Sequence, residues 1–123
     1  MTVSEPDVYD RMCPSRGVLE HVTSRWGVLV LAALRDRGYR FGELRRRIDG
    51  VSEKMLAQTL QTLERDGFVH RKAHPVIPPR VDYSLTPLGT EAAELVTGLV
   101  EWIERRLPQV ESARELHGAR REG

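Results

Sequence analysis

The 123-residue sequence predicts a mainly α fold carrying one small β-hairpin. Three observations support this. Apolar residues recur at helical spacing through most of the chain, as in Leu56, Leu60 and Leu63. Two of the helical segments are joined by the tight connection Asp49-Gly50-Val51-Ser52, which is helix-turn-helix punctuation. Two alternating segments flank His74-Pro75-Val76-Ile77-Pro78-Pro79 and read as a hairpin whose Pro-rich tip cannot pair as sheet.

Cys13-Pro14 marks the first helix start, because Pro is tolerated in an opening turn, and Val18, Leu19 and Val22 then form a short apolar face. Either Thr23 or Ser24 can cap a second helix. There Trp26, Val28, Leu29, Leu31, Ala32 and Leu34 predict burial on most sides. Arg35-Asp36-Arg37-Gly38 closes it with a glycine stop. Phe41, Leu44 and Ile48 form one face of a third, short helix ended by Asp49-Gly50. Ser52 caps the next, residues 53 to about 66, and Gly67 stops it.

The wing follows over about 68–86, with one strand in Phe68–Ala73 and the other in Arg80–Leu85. Thr86 caps a last helix, about 87–107, whose apolar side holds Leu88, Ala92, Leu95, Val96, Leu99, Trp102, Ile103 and Leu107. Pro108 interrupts that pattern, and the charged tail 109–123 is expected to fray. Residues 1–12 form an N-terminal arm, and 13–108 a single domain without internal repeat or linker. The order is that of a winged helix-turn-helix with flanking N- and C-terminal helices.

At 40% hydrophobic and 30% charged residues, the composition is that of an ordinary folded domain. A single Cys rules out an intrachain disulfide framework. The first residues are acidic and polar rather than signal-like. The longest apolar run, Val28 to Leu34, is far below the ~20 residues needed to cross a bilayer. A cytoplasmic location and no membrane partner are therefore expected. The net charge of +1 conceals an asymmetry: residues 35–80 hold 11 Lys/Arg against 6 Asp/Glu, a net of +5, and the remainder is −4. A basic middle suggests a surface facing a polyanion, although charge alone fits a solvated face equally well.

On the helix after Ser52, the leucine stripe turns Lys54, Gln58, Gln61 and Arg65 to the opposite side, with Met55 and Thr62 on a flank. Gln pairs bidentately with adenine, and Lys or Arg with guanine, so this face has base-reading chemistry. The same residues are good helix formers, and a merely solubilising face fits them too. Arg45, Arg46 and Arg47 point in different directions, so only some of them can meet phosphate. Arg40 precedes a helix N-terminus, where phosphates dock. Arg71, Lys72 and Arg80 lie on the hairpin strands, suited to a minor groove or its phosphates.

Catalysis finds little support. Cys13 and His21 would lie ~12 Å apart on a continuous helix, and His70 and His74 ~13 Å apart along a strand, too far for one metal. There is no Gly-rich phosphate loop and no paired-carboxylate motif, so neither enzyme activity nor a metal or cofactor is expected.

From Met12 to Trp102 the sequence resembles the HxlR-type winged-helix regulators. The matching pieces, in order, are Cys13-Pro14, Arg25-Trp26, Arg40-Phe41-Gly42-Glu43-Leu44 and Gly50-Val51-Ser52-Glu53-Lys54-Met55-Leu56. Leu63-Glu64-Arg65-Asp66-Gly67-Phe68-Val69, Pro78-Pro79-Arg80-Val81-Asp82-Tyr83-Ser84-Leu85-Thr86 and Gly89 complete the series. Arg25 stands where Lys is usual, Ser24 where Gly is usual, and Asp82 where Glu is usual. The resemblance implies a bacterial or archaeal homodimer that binds a double-stranded DNA operator and regulates transcription. The residues expected at DNA are Arg40, Ser52, Lys54, Met55, Gln58, Gln61, Arg71 and Arg80. Trp26 and Tyr83 read as packing aromatics.

Leu95, Leu99, Trp102 and Ile103 offer more apolar surface than so small a domain can cover, and Val18 and Val22 can supply the other side of a two-fold dimer interface. Two reading helices would then meet successive major grooves, ~34 Å apart. Cys13 sits at a helix start, where the dipole favours thiolate; Arg11 and Arg16 add to this and Asp10 opposes it. The resemblance implies control by thiol redox state, an electrophile or another small molecule, since in several such regulators the Cys of this Cys-Pro pair responds to oxidants. A helix-start role alone fits Cys13 as well. The alternative function is a winged-helix protein-interaction module without operator binding, against which stand Lys54, Arg71 and Arg80.

Overall fold

The computed structural model describes residues 5–122, so residues 1–4 of the expected N-terminal arm and the terminal residue of the expected tail lie outside the described residues. The elements run α1 (Pro14–Thr23), α2 (Arg25–Asp36), β1 (Tyr39–Arg40), α3 (Phe41–Arg47), α4 (Glu53–Arg65), β2 (Val69–His74), β3 (Arg80–Leu85) and α5 (Pro87–Glu122). The fold is the expected mainly α winged helix-turn-helix, with one strand more than the sequence predicts. No described helix is long and apolar enough to cross a membrane.

The added strand is β1, which pairs with β3 to make an antiparallel sheet of order β1-β3-β2. Its two residues, Tyr39 opposite Tyr83 and Arg40 opposite Asp82, are too few to show an alternating pattern. Gly38 permits the approach, because a Cβ there would stand 3.2 Å from the Tyr83 carbonyl oxygen. That is its role in place of the expected glycine stop: α2 ends instead on Arg37, in extended conformation (φ −169°, ψ 172°).

Between the candidate caps of α2 the structure selects Ser24, whose Oγ accepts the Gly27 N–H at 3.1 Å. Gly27, Val30, Leu31, Ala33 and Leu34 are buried, but the expectation of burial on most sides fails at Leu29, which is exposed. The reason is that α4 and α5 cover only part of this helix, leaving Leu29 in a groove of about 440 Å³ beside Val100.

The core is continuous through Leu31, Leu44, Leu56, Leu60, Leu63 and Val30, with Tyr39 and Tyr83 of the sheet buried against it. Such burial contributes about 1.5–3 kcal/mol per large side chain, which is how these short helices persist without strong intrinsic propensity. Gly67, at φ +86°, ends α4 where only glycine is comfortable, and the Phe68 N–H returns to the Leu63 carbonyl at 2.9 Å.

The last helix corrects the expected boundary near residue 107 and the frayed tail. It passes through Pro108 and continues to Glu122. An interior Pro removes one hydrogen bond to the preceding turn and crowds its carbonyl, at a cost of about 3 kcal/mol, which good helix formers on either side can offset. Those here, Glu111-Ser112-Ala113-Arg114-Glu115-Leu116, are mostly good helix formers.

Candidate nucleic-acid interface

The α4 cap and leucine stripe fix which side of that helix faces out. Ser52 Oγ accepts the Met55 N–H at 3.1 Å, setting the first turn. Leu56, Leu60 and Leu63 are buried, whereas Lys54, Gln58, Gln61 and Arg65 are all exposed, as the leucine spacing predicts. Met55 is exposed on the flank. Gln58 stands at the edge nearest α1, where it lines a small cavity of about 150 Å³ with Glu20, His21, Ser24, Thr59 and Thr62. The hydroxyl of Ser52 is engaged by the cap, so its structural role is plain.

Strand alternation sorts the wing residues between two faces. The register places Lys72 opposite Asp82, Asp82 opposite Arg40, and His74 opposite Arg80. Lys72, Arg40 and Arg80 therefore share the outer face of the sheet. Arg71, opposite the buried Tyr83, belongs to the other face, so the hairpin cations form two groups rather than one. Beside the outer face lies a cavity of about 480 Å³ lined by Arg37, Arg40, Glu43, His70, Lys72 and Arg80 among others.

Some cations are engaged inside the molecule. The Nε and Nη2 of Arg80 both donate to the Asp82 carboxylate at 3.0 Å, and His74 Nε2 lies 2.9 Å from the same group. The Arg80 bonds, followed by that of His74, hold the Asp82 carboxyl down at about 2. Arg80 thus offers a phosphate only the part of its charge that Asp82 leaves. The Arg40 N–H donates to Glu43 Oε1 at 2.9 Å, which keeps the Glu43 carboxyl below its ordinary range and leaves the Arg40 side chain exposed. Arg45 lies 3.6 Å from Glu53, while Arg46 and Arg47 have no ion-pair partner among the described residues. The Arg80–Asp82 brace went unread in the sequence, although their i, i+2 spacing on a strand puts both on one face.

Cys13 is the half-buried cap of α1. Its Sγ accepts a hydrogen bond from Ser15 Oγ at 3.1 Å and from the Asp7 N–H at 3.4 Å. These bonds, Ser15's first, push the thiol below its ordinary pKa against the opposing effects of burial and Asp10. Arg16 does not assist as expected: its guanidinium donates to the carbonyls of Val8, at 2.7 Å, and Tyr9, at 3.2 Å, pinning the arm. Ser15, adjacent to the Cys-Pro pair, is a further functional neighbour that the sequence pattern does not signal.

Of the residues expected at a dimer interface, Leu95, Leu99, Trp102, Ile103 and Val18 are exposed, Leu95 most of all at 78%. Val22 is not offered to a partner in the same way, because it packs against the core.

A family model described as HxlR-like helix-turn-helix matches residues 21–111. The HTH-type transcriptional regulator YtfH of Escherichia coli (strain K12) is 57% identical over 117 residues, which are 95% of this chain and 93% of that protein. A solved structure of the transcriptional regulator ytfH from Salmonella typhimurium is 59% identical and superposes with a TM-score of 0.87, covering 90% of this chain and 99% of that one. The redox regulator HypR in its oxidized form is 34% identical with a TM-score of 0.69, covering 76% and 96%.

Proposed function

This chain belongs to the HxlR-like helix-turn-helix family of DNA-binding transcription regulators, and on that premise we propose that it acts as a homodimer on a pseudo-palindromic operator, reading bases with the outer face of α4. The observation that carries the reading is the exposed face Lys54, Gln58, Gln61 and Arg65, free of acid and held in orientation by the Ser52 cap. Lys54, Gln58 and Gln61 supply the base contacts, with Met55 available for a thymine methyl. Arg40, Arg71 and Arg80 supply phosphate contacts, which set register but carry no sequence information.

The test is a comparison of variants on DNA that the wild-type protein selects from a random library. Lys54→Ala and Gln58→Ala are expected to change the preferred sequence, each lost bidentate contact costing about 1–3 kcal/mol. Arg40→Ala and Arg71→Ala are expected to weaken binding to every sequence and to reduce the salt slope by about 0.9 per contact. An unchanged preferred operator in Gln58→Ala would remove that residue from the reading set. A protein-interaction role without DNA predicts no salt-dependent enrichment at all.

Control through Cys13 is the finer part of the proposal. The hydrogen bonds from Ser15 and Asp7 stabilise thiolate, the nucleophilic form, and the relative HypR is described as a redox regulator. With one Cys in the chain, oxidation yields an intersubunit disulfide, a mixed disulfide or a sulfenic acid. Diamide or a quinone is expected to change operator affinity of the wild type but not of Cys13→Ser. Equal affinity in both proteins after treatment would assign Cys13 to capping only.

A further inference from the structure

Building on the DNA-binding reading above, we infer that the wing tip is an apolar wedge: Ile77, flanked by Val76, enters the minor groove beside the major groove held by α4 and opens a base step. Strand pairing ends at His74 opposite Arg80, which leaves residues 75–79 as the apex. Ile77 is 100% exposed and Val76 51%, while the other three residues are prolines. One fully exposed large apolar side chain beside a half-exposed one makes a small contiguous apolar patch at the tip of a polar hairpin, suited to meeting a surface.

The backbone narrows what that surface is. Pro75, Pro78 and Pro79 have no N–H, and the Val76 N–H is spent on the His74 carbonyl at 2.8 Å. Ile77 therefore carries the one N–H of the apex without an intramolecular acceptor among the described residues. An apex with almost no donors cannot read the minor groove's acceptors as an arginine would. What it can do there is make van der Waals contact with sugars and wedge between bases, as apolar residues of architectural proteins do.

Width and charge agree. Two strands lie about 4.8 Å apart before their side chains are added, against a minor groove about 6 Å wide, so only the apex reaches the floor. Behind it stand Lys72 and Arg80 on one face of the hairpin, where Lys72, and the part of the Arg80 charge that Asp82 leaves, are placed for phosphate. The base is braced by the bonds of Arg80 and His74 to Asp82, and the prolines limit the entropy lost when the tip docks. Across a cavity of about 400 Å³ the tip faces Arg40, Phe41 and Gly42, so it is held close to the helix-turn-helix.

The experiment uses the full-length protein and a selected duplex labelled at both ends for energy transfer. Wild-type protein is expected to shorten the end-to-end distance. Ile77→Ser should relax the bend and raise Kd about tenfold with the salt slope unchanged, since phosphate contacts remain. Ile77→Leu should restore both, and circular dichroism should show each variant folded. An unbent wild-type complex, or an Ile77→Ser complex bent and bound like wild type, would overturn the wedge while leaving base reading by α4 intact. If Ile77→Ser binds DNA normally but loses regulation in a purified transcription assay, the tip meets protein and the wedge is again excluded. Failure of the wild-type protein to enrich any duplex would instead defeat the DNA-binding reading itself, and the wedge with it.

Discussion

His21 Nδ1 and Asp66 Oδ2 meet at 2.6 Å, joining the end of α1 to the C-cap of α4. These residues are 45 positions apart in the chain, and their bond is a direct polar link between the helix capped by Cys13 and the helix proposed to read DNA. Asp66 is the more buried partner, at 17% side-chain exposure against 40% for His21. Loss of the imidazole therefore leaves a sheltered carboxylate short of a partner. His21→Ala is expected to lower unfolding free energy by about 1 kcal/mol, measured by urea titration. It should also blunt any effect of Cys13 oxidation on operator affinity, whereas a mutation at the far end of α5 should not.

Gly89 is where α5 enters the domain with no room to spare. A Cβ there would sit 1.8 Å from the Phe68 carbonyl oxygen, against backbone that cannot rotate away. The same junction is tied by Thr86, whose Oγ1 donates to the Gly67 carbonyl at 2.6 Å and accepts the Gly89 N–H at 2.9 Å. Gly89→Ala is predicted to cost about 3 kcal/mol or more, seen as a lower thermal midpoint. Gly98→Ala, in the same helix with open space around its Cβ, is the control and should be neutral or slightly stabilising.

The Asp82 brace predicts an acid transition at the wing. Its carboxyl is lowered to about 2, so the contribution of the Arg80 and His74 bonds is fully present above the ordinary value of 3.8 and is lost as pH falls through about 2. Hydrogen exchange of the β2–β3 amides should accelerate across that window, and Asp82→Asn should remove the dependence. At neutral pH the same variant releases the Arg80 guanidinium, so nonspecific DNA binding is expected to tighten and its salt slope to steepen by up to ~0.9. An unaltered slope would mean that Arg80 does not reach phosphate even when freed.

The helical part of this fold was legible because each helix carries its own punctuation: Ser24 and Ser52 as caps, Gly67 as a stop, and leucines at regular spacing between. The exposed face of α4 could be drawn from those leucines alone. What escaped depends on partners distant in sequence. β1 exists because Tyr39 finds Tyr83, and no two-residue segment can announce that. Arg80 was legible as a cation but not as one held by Asp82, and Cys13 as a helix start but not as an acceptor from Ser15. The length of α5 is not legible from Pro108, which marks a helix end by its local chemistry, whereas the residues after it continue the helix.

The uncovered side of α5 gives the last prediction. Leu95, Leu99, Trp102 and Ile103 recur at three- and four-residue spacing and are all exposed, as are Leu107 and Val110 further on. At ~100° per residue Leu95, Leu99 and Trp102 project within about 60° of one another, to one side of Ala93 and Val96, which are buried in the core. An apolar stripe of this length on a single chain is the expected signature of a self-complementary two-fold contact. Trp102, near its middle and 48% exposed, is large enough to anchor it. Trp102→Glu would place one carboxylate from each subunit in that contact. It should raise the dimer dissociation constant at least about 100-fold, because unpaired charge is costly to desolvate. Light scattering at micromolar concentration should then report a monomer whose thermal midpoint changes little, since Trp102 lies outside the buried core. Trp102→Phe should remain dimeric, and the Glu variant should lose cooperative operator binding because two half-sites can no longer be engaged together. A Trp102→Glu protein that stays dimeric with undiminished affinity would move the interface off α5.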